Sequence, residues 1–318
     1  MKKVVVGASG QIGSELTGRL KSLYGYENIL SIDIHPPETP DDTFIQLDAT
    51  RYDQLRDFFL KNEAEEVYVM AAILSAKAEK NPSLSWEINM KILFNFLELA
   101  KEKIISKIFW PSSIAVFGPH TPKKKVPQFT VMDPDTVYGI SKLAGERWIE
   151  YYHHKYDVDV RSIRYPGILS WKVRPGGGTT DYAIEMFHYA LKGETYVCYI
   201  DQNEELPMMY IDDAIDATMR LMQTPSDQIH IRSSYNLSAI SFTPKDLENK
   251  IKKFIPDFKV IYKPDFRQEI AHSWPDSIDD RHAREDWKWR HAFDLDKIVK
   301  IMLKSMQENY YPASEFHV

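Results

Sequence analysis

The chain has 318 residues, 43% hydrophobic and 27% charged, a composition typical of soluble globular proteins. The net charge of -6 offers no basic field for nucleic acid, and no apolar run is long enough to span a membrane. The short basic run Lys123-Lys124-Lys125 is interpreted as solvated surface. A single cysteine, Cys198, excludes an intramolecular disulfide and a Cys-based metal cluster. We expect no metal, because the histidines form no ligand cluster with acids.

The beginning of the chain predicts the compartment. Met1-Lys2-Lys3 leads directly into an apolar strand, which leaves no room for a targeting peptide. We therefore expect a cytoplasmic protein.

A glycine-rich turn joins that first strand to an amphipathic helix. The turn reads Gly7-Ala8-Ser9-Gly10-Gln11-Ile12-Gly13. Glycines at this spacing allow a tight turn, a close approach of the backbone to a pyrophosphate and close packing of helix on strand. The helix N-terminus then offers N–H groups to the phosphates. The turn predicts a dinucleotide site formed by Gly7, Ser9, Gly10, Gln11, Ile12 and Gly13.

The next predicted strand, 29–33, ends in an acid that selects the cofactor. Asp33 stands 20 residues after Gly13, where a carboxylate accepts hydrogen bonds from the adenosine ribose and repels a 2′-phosphate. We therefore predict NAD and not NADP. Five further positions are assigned to the same cofactor. They lie at or just after the ends of strands 29–33, 44–49 and 67–72, and they are Ile34, Asp48, Ala49, Ala71 and Ala72.

Strands alternate with helices over the first half of the chain, which predicts an α/β fold with a Rossmann-like, doubly wound parallel sheet. Residues 1–168 form the predicted NAD-binding domain, and segments near 206–240 return to it. Residues 169–318 form a smaller, mostly helical C-terminal substrate lobe. The predicted strands are 29–33, 44–49, 67–72, 107–113, 158–165 and 234–237, and the predicted helices are 52–61, 86–103, 138–156, 182–192 and 214–222, the last opened by 206–213.

Tyr138 and Lys142 stand four residues apart, so their side chains share one face of helix 138–156. An adjacent ammonium lowers the pKa of a phenol, which would make Tyr138 a base at neutral pH. Such pairs are also common on exposed helices. Strand 107–113 delivers the hydroxyl groups of Ser112 and Ser113 at its carboxyl end, where they can hold a substrate alcohol beside the base.

Together these motifs resemble the extended short-chain dehydrogenase/reductase superfamily, which contains the nucleotide-sugar epimerases. The resemblance spans roughly the whole chain. Within this group, the substrate-side blocks are similar to the short-chain-type L-threonine 3-dehydrogenases. These blocks are Ile73-Leu74-Ser75-Ala76-Lys77, Pro111-Ser112-Ser113-Ile114-Ala115-Val116-Phe117-Gly118-Pro119, Arg164-Tyr165-Pro166-Gly167-Ile168, Gly178-Thr179-Thr180-Asp181-Tyr182-Ala183 and Leu206-Pro207-Met208-Met209-Tyr210.

The resemblance implies NAD-dependent oxidation of the L-threonine β-hydroxyl to 2-amino-3-oxobutanoate, in threonine catabolism towards glycine. Tyr138 would take the hydroxyl proton, Lys142 would hold the nicotinamide ribose, and Ser113 would orient the alcohol, with Ser112 beside it. Tyr138, Lys142, Tyr165, Pro166 and Ile168 would also contact NAD. The substrate-binding set would be Ser75, Ser112, Ser113, Tyr138, Thr179, Thr180 and Trp274.

Two other functions stay open at this point. A nucleotide-sugar 4-epimerase or dehydratase would need cations for a uridine diphosphate, and Lys172, Arg174 and Arg220 are available. A non-catalytic NAD-binding protein is the third possibility, although the intact set of Tyr138, Lys142 and Ser113 argues against it.

Helix 86–103 carries more apolar positions than one buried face needs. Either a second protomer covers the surplus or the helix is buried within its own chain. We expect a homodimer through helices 86–103 and 138–156.

Overall fold

The computed structural model describes residues 2–37, 39–172 and 176–312. The strands within these residues are β1 (Lys2–Val6), β2 (Ile29–Asp33), β3 (Phe44–Gln46), β4 (Ala64–Val69), β5 (Lys107–Phe109), β6 (Ser112–Ser113), β7 (Asp159–Arg161), β8 (Ile163–Tyr165), β9 (Gly167–Leu169), β10 (Tyr196–Cys198), β11 (Leu206–Tyr210), β12 (Tyr235–Asn236), β13 (Ile240–Phe242) and β14 (Val260–Tyr262).

The α-helices of the same residues are α1 (Gln11–Tyr24), α2 (Tyr52–Asn62), α3 (Ser75–Ala78), α4 (Pro82–Lys101), α5 (Val137–Tyr156), α6 (Tyr182–Lys192), α7 (Ile211–Gln223), α8 (Pro244–Lys252), α9 (Phe266–Ser273), α10 (Arg281–Trp287) and α11 (Leu295–Tyr310). Short 3₁₀ helices occur at Tyr26–Asn28, Ile114–Val116, Thr179–Asp181 and Ser226–Gln228.

The main sheet is parallel throughout and has the strand order β3-β2-β1-β4-β5-β7. Successive residues of β1 enter different hydrophobic cores: Val5 packs in the core that holds Leu16 of α1, whereas Val4 and Val6 join the core that holds Phe96 of α4. Side chains alternate across a strand, so helices cover both faces of this sheet. The predicted Rossmann-like α/β fold is confirmed.

Two long predicted strands are interrupted in the structure. Strand 107–113 breaks at Pro111, which has no N–H to donate to a neighbour, and continues as β6. Strand 158–165 divides into β7 and β8. The second halves form a separate parallel sheet in the order β12-β8-β6, with Ser112 opposite Arg164 and Ser113 opposite Tyr165. This pairing fixes both serines at the carboxyl edge of the nucleotide-binding unit.

The prediction that residues 206–213 open a helix was wrong for the first five of them. They form β11, which is buried along its whole length and lies between β9 and β13. Met208 packs so closely on Gly167 of β9 that a Cβ there would lie 2.4 Å from its sulfur. Tertiary packing therefore overrides the local pattern. Residues 234–237 do contain a strand, β12, but it pairs with β8 and not with the main sheet.

The C-terminal lobe is built around α6, α8 and α11, which pack against one another. The boundary at residue 168 stays a prediction. Among the described residues, no helix has both the length and the hydropathy needed to cross a lipid bilayer.

Candidate active site

The turn after β1 is too tight for a side chain at two positions. Gly7 has a φ of 81°, and a Cβ there would lie 2.6 Å from the backbone nitrogen of Ala71. A Cβ on Gly13 would lie 2.0 Å from the carbonyl oxygen of Gly7, so α1 can pack on this turn only with glycine at that position. Gly10 is the N-cap of α1 and supplies no side-chain hydrogen bond. The first helical N–H groups are therefore left to a phosphate.

Asp33 lies directly over this turn. One of its carboxylate oxygens accepts from the N–H of Ser9 at 3.0 Å, and the other accepts from the N–H of His35 at 3.0 Å. These bonds hold the carboxylate at the end of β2, while its remaining lone pairs stay available for hydroxyl groups. A 2′-phosphate at the same position would be repelled.

The other predicted cofactor residues surround the same edge of the sheet. The side-chain amide nitrogen of Gln11 is buried and finds no hydrogen-bond partner in the described residues, as expected of a group that serves a ligand. Asp48 uses one carboxylate oxygen to close its own turn on Thr50. Ala49 is buried, Ile34 is exposed, and Ile12, Ala71 and Ala72 are partly exposed. The residues present therefore fit NAD.

Asp33→Ala is expected to weaken NAD binding about tenfold, because charge-assisted hydrogen bonds to the ribose are lost, and to strengthen NADP binding relative to NAD. Titration of both nucleotides against the purified protein measures the two dissociation constants. Asp53→Ala, an exposed position on α2, is the matched control. An unchanged NAD-to-NADP ratio in the Asp33 variant would contradict the assigned role.

Helix α5 presents Tyr138 to Ser113. The helix starts at the N-cap Thr136, whose hydroxyl oxygen accepts from the N–H of Gly139 at 3.1 Å. A Cβ on Gly139 would lie 2.1 Å from the carbonyl oxygen of Ala115, so the first turn of α5 rests directly on the chain that follows Ser113. The Ser113 hydroxyl lies close enough to the Tyr138 phenol to lower its pKa. The predicted proton acceptor and the predicted alcohol-orienting group are therefore neighbours.

Lys142 is almost fully buried beneath Tyr138. Its ammonium donates to the carbonyl oxygen of Pro111 at 2.6 Å and lies 4.3 Å from the centre of the Trp110 ring. Its distance to the centre of the Tyr138 ring is 5.6 Å. The ammonium is thus anchored at the strand end that also carries the two serines.

These surroundings shift both pKa values, and one shift opposes the sequence-based expectation. Burial raises the pKa of Tyr138 to about 12, a shift that the Ser113 hydrogen bond reduces. Burial lowers the pKa of Lys142 to about 7, against the attraction of Glu146. The prediction that Lys142 lowers the pKa of Tyr138 was therefore wrong as far as the protein's own groups are concerned, because together they raise it. Desolvation outweighs the charge, because the ammonium lies against Pro111 and not against the phenol.

A buried lysine with a lowered pKa makes folding depend on pH. Between pH 7 and 10.5 the unfolded chain binds more protons at Lys142 than the folded chain, so stability rises with pH in this window. We expect wild-type protein to gain roughly 2 kcal/mol between pH 7 and 9 relative to Lys142→Met. Urea unfolding at the two pH values measures this difference. Lys155→Met, exposed on the same helix, should retain the wild-type gain. Identical pH dependence in wild type and Lys142→Met would refute the shift.

The hydroxyl of Ser112 is bonded within the protein, and its contact with the substrate stays a prediction. Ser112 is buried, and its hydroxyl donates to a carboxylate oxygen of Glu146 at 2.6 Å. The Glu146 carboxylate also accepts hydrogen bonds from Nε of Arg164 at 2.9 Å and from its Nη2 at 2.7 Å. Nη1 of Arg164 donates in turn to the carbonyl oxygen of Gln128 and to Asn236. Ser112 therefore ties the end of the strand to Glu146 of α5.

Glu146 is the residue that sequence reasoning missed. It stands four residues after Lys142, so the helical face that carries Tyr138 and Lys142 continues to it. A carboxylate on the inner face of a helix needs a partner, and Arg164, already noted in a motif, was the available cation. That spacing was the signal.

Residues that are far apart in sequence meet on the substrate side. The hydroxyl groups of Ser75 and Thr179 lie 3.4 Å apart, and both residues are buried. Thr180 packs beside Gly167, since a Cβ there would lie 2.8 Å from its methyl group. Trp274 is buried at the end of α9. Helix α9 packs on the 3₁₀ helix that carries Thr179.

The Tyr165 side chain lies away from the predicted cofactor site. It is buried, and its hydroxyl contacts the hydroxyl of Thr218 in α7. Its contact with NAD stays a prediction, as do those of the buried Pro166 and the partly exposed Ile168.

Two of the cations considered for a uridine diphosphate are engaged elsewhere. Lys172 lies 2.5 Å from Glu15, and Arg220 lies 2.5 Å from Asp216 on its own helix. Arg174 lies outside the described residues. Both described cations therefore have a carboxylate partner in the structure.

The chain belongs to the NAD dependent epimerase/dehydratase family, whose profile matches residues 3–238. This membership confirms the predicted superfamily, an enzyme fold, and NAD as cofactor. The chain is 43% identical over 314 residues to an uncharacterized epimerase/dehydratase of Staphylococcus aureus (strain MRSA252), which covers 97% of this chain and 98% of the relative.

Among solved structures, the chain is similar to L-threonine dehydrogenases. The holo form of a Cupriavidus necator L-threonine dehydrogenase is 48% identical, covers 96% of this chain and 100% of its own, and has a TM-score of 0.94. A monomeric L-threonine 3-dehydrogenase from a metagenome, in its apo form, is 45% identical, covers 96% and 99%, and has a TM-score of 0.93.

Proposed function

We propose that this protein oxidises the β-hydroxyl group of L-threonine to a ketone, with NAD as the acceptor. The observation that carries the proposal is the grouping of Tyr138, Ser113 and the buried Lys142 at one strand end, where Lys142 is bonded to Pro111 and lies 5.6 Å from the centre of the Tyr138 ring. It occurs in a chain whose similarity to L-threonine dehydrogenases extends over nearly its whole length. The products would be 2-amino-3-oxobutanoate, NADH and a proton.

In this reaction Ser113 donates to and orients the substrate hydroxyl, and Tyr138 takes its proton. Bound NAD supplies the hydride acceptor. Tyr138 needs a lower pKa than the protein groups alone give it. Positive charge that arrives with the bound cofactor would lower this pKa and so help Tyr138 to act as a base. Lys142 brings an ammonium to the strand end, and its proposed role is to hold the ribose.

The substrate pocket is proposed to be small and polar. Ser75 and Thr179 bring two hydroxyl groups together at 3.4 Å, which suits the ammonium and carboxylate groups of an amino acid. The ion pairs of Lys172 and Arg220 weigh against a nucleotide sugar, whose diphosphate requires cations.

The proposal is tested by a survey of NAD reduction. Purified protein is given NAD with L-threonine, L-serine, a simple 3-hydroxy acid or UDP-glucose, and NADH is followed by its absorbance. We expect turnover with L-threonine and roughly 10- to 200-fold lower efficiency with L-serine, because serine lacks the methyl group that a fitted pocket would contact. Well-folded, NAD-binding protein that leaves threonine unchanged would refute the proposal. Epimerisation of UDP-glucose yields no net NADH, so it is followed separately by chromatography of the sugar nucleotide, and formation of the C4 epimer would establish the epimerase alternative.

We propose a homodimer through α4 and α5, two helices that pack on each other. Their outer faces carry large apolar side chains that remain exposed in the monomer, a pattern typical of an interface. These are Leu84, Trp86, Ile140, Trp148 and Tyr151. The face continues into the first turn of α5, next to Tyr138. Cytoplasmic location stays a prediction.

Trp148→Glu is expected to convert the dimer into monomers, because it places a charge in the centre of the apolar face. Sedimentation velocity of wild type and variant measures the masses. Leu60→Glu changes an equally exposed leucine on α2 and should leave the dimer intact. Wild-type protein that sediments as a monomer, like the monomeric metagenomic relative, would refute this interface.

A further inference from the structure

Lys123 belongs to the loop between β6 and α5, yet its side chain reaches the C-terminal lobe. Its ammonium donates to the carbonyl oxygen of His272 and, at 2.8 Å, to that of Trp274. These carbonyls end α9, where the helix dipole is negative and a cation is stabilising. The interpretation of the basic run as solvated surface was therefore wrong for Lys123, while its neighbour Lys124 is exposed.

The backbone of the same loop is hydrogen-bonded to the residues that follow Trp274. The carbonyl oxygen of Lys123 accepts from the N–H of Asp276 at 2.7 Å. The N–H of Val126 donates to the carbonyl oxygen of Ser277 at 3.0 Å, and its own carbonyl accepts from Asp279 at 2.9 Å. The side chain of Lys123 and the backbone of its loop thus both bind the short segment at and after the end of α9.

This segment adjoins the substrate side of the site. Helix α9, whose last carbonyls Lys123 holds, packs on the 3₁₀ helix that carries Thr179. Thr179 in turn meets Ser75. The loop that carries Lys123 leaves the sheet just after Ser113. Lys123 therefore connects the alcohol-orienting strand end to the wall that contains Trp274.

We propose that Lys123 is a positioning residue that sets the affinity for the substrate by fixing Trp274 and the end of α9. This rests on the proposed function and on the predicted place of Trp274 in the amino-acid pocket. The ammonium contacts protein carbonyls and not the reacting atoms, so its removal acts on substrate binding and leaves the chemical step in place.

Hydrogen exchange tests the contact without any substrate. Lys123→Met keeps most of the side-chain volume and removes the charge. We expect the backbone amides of Trp274, Asp276 and Ser277 to exchange about tenfold faster in this variant, because the segment opens more often, while Lys123→Arg restores most of the protection. Lys124→Met is the matched control and should exchange as wild type does. Unchanged exchange in Lys123→Met would overturn the proposal.

Steady-state kinetics test the consequence. In Lys123→Met we expect KM for L-threonine to rise about tenfold, with kcat and KM for NAD within about twofold of wild type. Lys124→Met should be unaltered. An equal rise in both KM values, or no rise, would overturn the substrate role. Wild-type protein without threonine turnover would instead refute the proposed function, and the exchange result would still decide whether Lys123 holds the segment.

Discussion

Tyr138→Phe is expected to lower kcat for threonine-dependent NADH formation by about 10³-fold, within the range that general-base catalysis supplies. The substitution removes the hydroxyl that accepts the substrate proton and keeps the ring. The start of the helix is held by the cap at Thr136, which does not involve the Tyr138 hydroxyl. The loss should therefore appear in the chemical step and not in folding. Stopped assays of NADH at saturating threonine and NAD measure it.

Two controls separate this loss from indirect effects. Tyr156→Phe removes a hydroxyl near the other end of α5 and should retain wild-type kcat. NAD binding by Tyr138→Phe, measured by titration, should stay within a few-fold of wild type, because the glycine turn and Asp33 are untouched. A variant that keeps more than about a tenth of wild-type kcat would exclude Tyr138 as the base.

The glycine turn and Asp33 show which features could be predicted from the sequence. A Cβ at Gly7 or Gly13 would lie less than 3 Å from backbone atoms, so both positions require glycine. The spacing of these glycines in the sequence therefore indicates the geometry of the turn. Asp33 follows at the end of a short strand and meets Ser9 across one turn. These features depend on contacts between neighbouring elements, and periodicity and glycine spacing are sufficient to place them.

The features that sequence did not supply depend on contacts between distant segments. Ser112 looked like a partner of Ser113, but its hydroxyl is committed to Glu146, 34 residues later. Lys123 looked like part of a surface run, and it holds carbonyls about 150 residues away. Short-range patterns contain no information on such partners, because burial and packing decide which polar groups must be satisfied.

The pKa of Tyr138 illustrates the same limit in energetic terms. The spacing of Tyr138 and Lys142 predicts mutual stabilisation of their charged forms, which requires the two charges to face each other. In the structure the ammonium lies on Pro111 and the Trp110 ring, and burial raises the pKa of the phenol to about 12. Helical spacing predicts a shared face, whereas the local solvation that decides the sign of the shift is a property of the fold.

Arg164→Met is expected to destabilise the protein by about 3–5 kcal/mol, because it leaves the carboxylate of Glu146 buried without its cation. Both members of the pair are almost completely inaccessible to solvent. Arg164 donates twice to Glu146 and also to Gln128 and Asn236, so one substitution leaves several polar groups without their donor. Urea unfolding at pH 7 measures the change.

The matched control is an exposed pair on the same helix. Arg147 and Glu150 lie 2.5 Å apart at the surface of α5, and Arg147→Met should cost less than about 1 kcal/mol. Glu146→Gln should cost less than Arg164→Met, since the amide oxygen still accepts from Ser112 and Arg164. Their double variant should be less destabilised than the sum of the two single variants, because it leaves no buried carboxylate. Additive losses, or a loss no larger than that of Arg147→Met, would show that the buried pair does not act as a unit that holds Ser112 and the α5 face together.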